Sequence, residues 1–256
     1  MKKYWLVFKN SAQGELVYRF NFFALFFAEF FSLGVFAYLW ASIYRQGNQI
    51  GSYNLEVLIA YYLLTRFINL TIKAWDVAWV VGDLIRDGWL NNYIVKPMNF
   101  LFYTFFSNLG SIVSRMLVYV FVFLLAAIFI FKGVNLTFIS VFYFLLFLAI
   151  AFIINFLIFY LVGVSTFYFE YVLGFNFIMQ NVASFFSGNL MPIDIFPPLL
   201  LKLANILPFK YIAFVPVSVV MGRENNFFSL ILGGLIWIVI LYLAAILLYK
   251  KGIKKY

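Results

Sequence analysis

Residues 132–170 read KGVNLTFISVFYFLLFLAIAFIINFLIFYLVGVSTFYFE, with no charge between Lys132 and Glu170. A hydrocarbon core about 30 Å thick is crossed by roughly 20 apolar residues in a helix. The stretch is too long for one crossing. Divided near Gly163, it predicts two helices, at 136–162 and 166–188. Working outward, the same criterion finds apolar runs at 20–44, 53–72, 111–131 and 225–249. Backbone in lipid must satisfy its own hydrogen bonds, which helices do. The expectation is an all-α integral membrane protein with six transmembrane helices, one membrane domain filling residues 1–256.

Composition agrees. Of 256 residues 66% are hydrophobic and only 11% charged, with a mean hydropathy of +1.02; soluble domains carry about 25% charged residues. The chain has no histidine and no cysteine. That removes Ser–His and Cys–His dyads, histidine-held metals, disulfides and thiol nucleophiles. A net charge of +9 suggests nucleic acid in a soluble protein. Here the cations flank apolar runs and set topology, so the lipid bilayer is the expected partner and nucleic acid is not.

Orientation follows from the same cations. With the N-terminus in the cytoplasm, Lys2, Lys3, Lys9, Arg19, Lys73, Arg86, Lys96, Lys250, Lys251, Lys254 and Lys255 lie inside. Arg45, Lys132, Lys202, Lys210 and Arg223 lie outside. The excess places both termini in the cytoplasm of a multi-pass cell-membrane protein, as an even number of crossings requires. Residues 1–19 do not read as a cleavable signal peptide. Trp5, Phe8, Ala12 and Leu16 recur at helical spacing among Lys2, Lys3, Lys9 and Arg19, which predicts a helix lying in the cytoplasmic interface.

Two segments are not crossings. In residues 73–100, Asp83 reads as an N-cap opening a short helix through Asn91. Ile85 and Trp89 would share its apolar face, and Asp83 would pair with Arg86. Pro97 then disfavours helix at Lys96. An amphipathic helix projecting from a membrane domain suits a groove in a soluble partner; a plain solvated loop is the other reading. In residues 189–222 fall five of the six prolines: Pro192, Pro197, Pro198, Pro208 and Pro216. Proline opens helices and breaks their interiors. Pro197-Pro198 should open a helix that stops before Pro208, and a second apolar piece should follow from Phe209 to about Met221. Two such short helices make an outer re-entrant or interfacial hairpin, with two further crossings as the competing reading.

Four charges fall in or near the apolar runs. Glu29 and Arg66 sit at depths that allow a pair between the first two crossings, serving either packing or a substrate path. Arg115 and Glu170 are expected near the cytoplasmic ends of their helices. Ser107, Ser111 and Ser114 share a helical face that would allow close helix approach.

These features together resemble an ABC-2 type transporter permease, and more narrowly the group of about 260 residues linked to viologen or drug export. The blocks that carry the resemblance run from Gly82-Asp83-Leu84 through Leu90 to Lys96-Pro97, and over Met191-Pro192-Ile193-Asp194-Ile195-Phe196-Pro197. Leu207-Pro208-Phe209 and Pro216 to Gly222 complete it. The resemblance implies that Asp83, Leu84, Ile85, Arg86, Asp87, Trp89, Leu90 and Asn91 form a coupling helix docked on a separate ATP-binding subunit. It also implies a second permease, the same chain or a sister. ATP and Mg would sit on the partner ATPase, with no cofactor on this chain, which has no G-x-x-x-x-G-K-[ST] run of its own. The alternative is a carrier driven by an ion gradient. Such carriers show repeats and midplane acids, and here Glu29 is the one acid well inside a crossing.

Overall fold

The computed structural model describes residues 2–17, 19–45, 51–95, 98–130, 138–169, 171–224 and 226–256. Within its helices the side chains of residues 16–23, 25, 26, 29, 30, 33, 117, 118 and 121–130 are not described. The described residues are all-helical. In chain order the helices are α1 (Lys2–Val17), α2 (Arg19–Arg45), α3 (Leu55–Thr71), α4 (Trp75–Arg86), α5 (Asn91–Ile94) and α6 (Phe100–Ile130). There follow α7 (Phe138–Val164), α8 (Leu173–Phe186), α9 (Pro198–Ile206), α10 (Phe214–Val220) and α11 (Phe227–Gly252). Among the described residues, three stretches are long and apolar enough to cross a membrane: Leu55–Arg86, Phe138–Phe167 and Phe227–Gly252. With 27 and 31 residues, α2 and α6 also exceed a hydrocarbon core of about 30 Å.

The bundle is built around α7, which packs on α4, α10 and α11. Its residues are all apolar or aromatic apart from Ser140 and Asn155, so it presents no polar face to water and is buried almost continuously from Phe147 to Val164. At Gly163 a Cβ would meet Val81 Cβ at 2.7 Å and the Ala78 carbonyl at 3.1 Å. That glycine lets α4 press its small residues directly onto α7.

Several boundaries differ from those read off the sequence, each for a local reason. Helix α6 starts at Phe100 and not near 111, because Asn99 caps it. The Asn99 Oδ1 accepts from the backbone N–H of Leu101 at 3.0 Å and of Phe102 at 3.3 Å. The second apolar stretch does not end at residue 72. It breaks over Ile72–Ala74 and resumes as α4, so Asp83 lies inside a helix begun at Trp75 and is not an N-cap. The coupling helix expected over Asp83–Asn91 is therefore two elements. Gly88, at φ +77°, is the left-handed residue that ends α4, and α5 is a single turn beyond it. Ile85 is buried and Trp89 is 60% exposed, so they do not share a face. The helix expected at 166–188 is shorter, because Ser165 and Thr166 hydroxyls donate back to the Val162 and Gly163 carbonyls. These bonds tighten the end of α7 into a 3₁₀ turn, and α8 begins only at Leu173.

The N-terminal helix is present and runs alongside α6. Tyr4 stacks on Phe106 at 5.5 Å, Ser11 and Ser107 hydroxyls meet at 2.9 Å, and Ser114 donates to the Ala12 carbonyl at 2.9 Å. Gly110 lies between these contacts, directly against the Phe8 backbone. Ser107 and Ser114 thus form the close seam that their spacing suggests, with Gly110 as its centre. The prolines also act as expected: Pro198 opens α9, Leu207 ends it before Pro208, and a 3₁₀ turn leads into α10. Pro216 falls in the first turn of α10, where its missing N–H costs nothing.

Candidate functional site

The break between α3 and α4 contains neither proline nor glycine. Side chains from three other helices instead bond to carbonyls of the break and of the first residue of α4. Asn155 of α7 donates to Ile72 O at 2.8 Å, Arg115 of α6 to Lys73 O at 3.1 Å, and Asn176 of α8 to Trp75 O at 3.4 Å. On the helix side, Thr71 donates to Phe67 O and Ile68 O. Irregular backbone at membrane depth persists where protein covers it or a wet cavity adjoins it. Here side chains of α6, α7 and α8 cover the backbone and a polar-lined cavity adjoins it.

The adjoining cavity encloses about 440 Å³ and is walled by α1, α3, α4, α6, α7 and α8. Its charged lining is Glu15, Arg66, Lys73, Asp76 and Arg115, and its neutral polar lining includes Asn69, Asn155, Gln180, Ser184 and Asn189. Lys73 pairs with Asp76 at 3.4 Å while resting over the Trp75 ring at 3.8 Å. The amides of Asn69 and Asn189 exchange hydrogen bonds of 2.8 and 3.0 Å. Arg115 is only 6% exposed; besides Lys73 O it donates to Ser111 O at 3.3 Å. Five charged side chains and several neutral polar ones thus face one cavity, which makes it the candidate site.

Of the intramembrane charges singled out in the sequence, Arg66 lies on the cavity wall, its guanidinium 5.1 Å from the Phe36 ring. The side chain of Glu29 and residues Lys96, Pro97 and Glu170 lie outside the described residues, and with them the Glu29–Arg66 pair. Arg115 is not at a helix end. With α6 starting eleven residues earlier than expected, it sits in the interior of the bundle. Lys73 and Asp76, read as cytoplasmic, line the cavity as well. Asn155, Gln180 and Asn189 carried no signal beyond being polar residues in or beside apolar runs.

A second feature lies at the far end of α4. Arg86 pairs with Asp83 at 3.0 Å and Asp87 at 2.9 Å on an exposed surface, as the spacing suggests for Asp83. After Gly88, Leu90 is fully buried and anchors the turn through its N–H to Leu84 O at 2.8 Å. Leu84, Trp89, Asn92, Tyr93 and Val95 line an open groove, and Val95 is 85% exposed. Asn91, at the start of α5, is exposed. The apolar surface expected of a docking element is thus carried by the Gly88–Val95 turn.

A third cluster joins the loop before α3 to both ends of the proline-rich segment. Tyr53 donates to Asp194 at 2.9 Å, and Arg223 reaches Asp194 at 3.6 Å, Ser52 O at 2.9 Å and the Tyr53 ring at 3.7 Å. Burial, and then the Asp194 carboxylate, push the Tyr53 hydroxyl well above the ordinary tyrosine range. Below it, the buried Tyr61 and Tyr62 donate to Gly188 O and Leu190 O at 2.6 Å each, clasping the exit of α8 to α3. Pro192 and Pro197 bracket the 3₁₀ turn that carries Asp194.

Comparison with known proteins gives one family. A family model described as ABC-2 family transporter protein matches residues 30–256. No curated protein matches the chain.

Proposed function

From the premise that the chain belongs to the ABC-2 family of transporter proteins, we propose that it is the membrane-spanning permease subunit of an ATP-driven exporter whose ATP is hydrolysed by a separate chain. One observation carries the reading. The same helix, α4, has its first residues Trp75 and Asp76 in the wall of the polar cavity and its last turn at the exposed apolar groove. Twelve residues span about 18 Å. A partner that seats on Trp89 and Val95 and moves there displaces α4 as a lever, and the cavity wall moves with it.

In this reading α2, α3–α4, α6, α7, α8 with its flanking turns, and α11 make six crossings, with both termini in the cytoplasm. Short as it is, α8 runs antiparallel to α3–α4: Asn176 meets Trp75 and Gly188 meets Tyr61. Helices α9 and α10 form the outer hairpin over Pro192–Pro216. Two copies, or this chain and a sister, pair in the membrane, and each binds one ATP-binding subunit carrying ATP and Mg. The test is to purify the tagged chain in mild detergent after co-expression with its genomic neighbours and identify by mass spectrometry what accompanies it. A stoichiometric P-loop subunit is expected. A folded chain that purifies alone and moves solute on an ion gradient would overturn the reading in favour of a gradient-driven carrier.

A further inference from the structure

We propose that the cavity at the α3–α4 break receives the anionic head group of an amphipathic substrate, with Arg115 as the group that grips it. The inference rests on the permease reading and names the chemical class that such a permease carries. Arg115 is nine-tenths buried, and among the described residues no carboxylate lies within ion-pair distance of it. Glu15 and Asp76 act on it only from farther away. Its two hydrogen bonds go to the carbonyls of Ser111 and Lys73, which hold a guanidinium in place without neutralising it. Five N–H donors in a planar fork suit a carboxylate or phosphate.

The rest of the wall points the same way. Lys73 lies on the same wall as Arg115 and is paired with Asp76. Gln180 and Ser184 add neutral donors, and Phe159 and Leu190 give an apolar flank for a tail. At about 440 Å³ the space falls within the roughly 300–1,000 Å³ of small-molecule sites. A dicationic cargo of the viologen kind would meet like charge here, so the cavity favours an anionic amphiphile over it.

The test uses the purified full chain in maltoside detergent with 11-(dansylamino)undecanoate, its uncharged primary amide and a dansyl alkylammonium of equal length, read by dansyl fluorescence. The carboxylate should bind about tenfold or more tighter than the amide, the order of one charge-assisted bond pair. Arg115→Gln should bring the acid-to-amide affinity ratio close to one, and Arg115→Lys should keep part of the preference. If Arg115→Gln does not yield a monodisperse protein, Lys73→Gln replaces it and should reduce the same ratio. Competition by dodecyl phosphate but not by phosphatidylglycerol identifies a free amphiphile, and competition by phosphatidylglycerol identifies a membrane lipid; either supports the anionic site. Equal binding of acid and amide, a preference that survives Arg115→Gln, or tighter binding of the ammonium probe would overturn it. Binding needs no ATP-binding subunit, so a negative result leaves the permease reading standing.

Discussion

At the scale of single residues, the structure depends on groups whose value is set by one neighbour. Gly163 is the clearest case, since any side chain there meets Val81 and the Ala78 carbonyl. Gly163→Leu should destabilise the purified protein by about 1–3 kcal/mol, seen as a lower melting temperature in a fluorescence melt; an unchanged midpoint would show that α4 and α7 are not in backbone contact. Tyr53 offers a second case. Its raised folded-state pKa means that stability is fully present below the unfolded tyrosine value of about 10 and is lost as pH rises above it. Between pH 10 and 11 wild type should lose stability more steeply than Tyr53→Phe, measured by chemical denaturation. Equal slopes would remove Tyr53 from the outer cluster.

Elements show why part of the fold was legible in sequence and part was not. The proline-bounded α9 and α10 were readable because proline acts through local geometry. The serine seam on α6 was readable because spacing alone puts Ser107 and Ser114 on one face. The α3–α4 break was not, because nothing between Ile72 and Trp75 is a breaker. It is made by Asn155, Arg115 and Asn176, which are 40 to about 100 residues away in the chain and are brought there only by packing. Asp83 reads as an N-cap in sequence because a capping residue looks the same inside a helix as at its start, whereas Gly88, at φ +77°, marks where α4 ends. The cavity was illegible for the same reason as the break: its charges look like boundary residues until α4 and α6 extend past them. The break makes its own prediction. Asn155→Leu leaves the Ile72 carbonyl buried and unpaired, at about 1–3 kcal/mol, and should lower the melting temperature while slowing transport. A variant as stable and active as wild type would mean the break is held otherwise.

For the whole molecule the argument is one of linkage. The polar cavity and the apolar turn share α4, and the outer cluster of Tyr53, Asp194 and Arg223 ties the same α3–α4 stretch to the proline hairpin. In the proposed permease, motion imposed at the Gly88–Val95 turn is carried along α4 to the cavity and across the α3–α4 break to the Tyr53–Asp194–Arg223 cluster. The chain has no cysteine, so a single one can be placed without a background. The most direct measurement puts it at Trp89→Cys in the complex reconstituted in liposomes, with a cysteine-reactive cross-linker and its ATP-binding subunit. The account predicts a cross-link between the two chains whose yield changes on adding ATP and Mg, while the control Phe228→Cys, at an exposed position on α11, gives none. No cross-link from Trp89→Cys in a complex that still hydrolyses ATP and transports would contradict it.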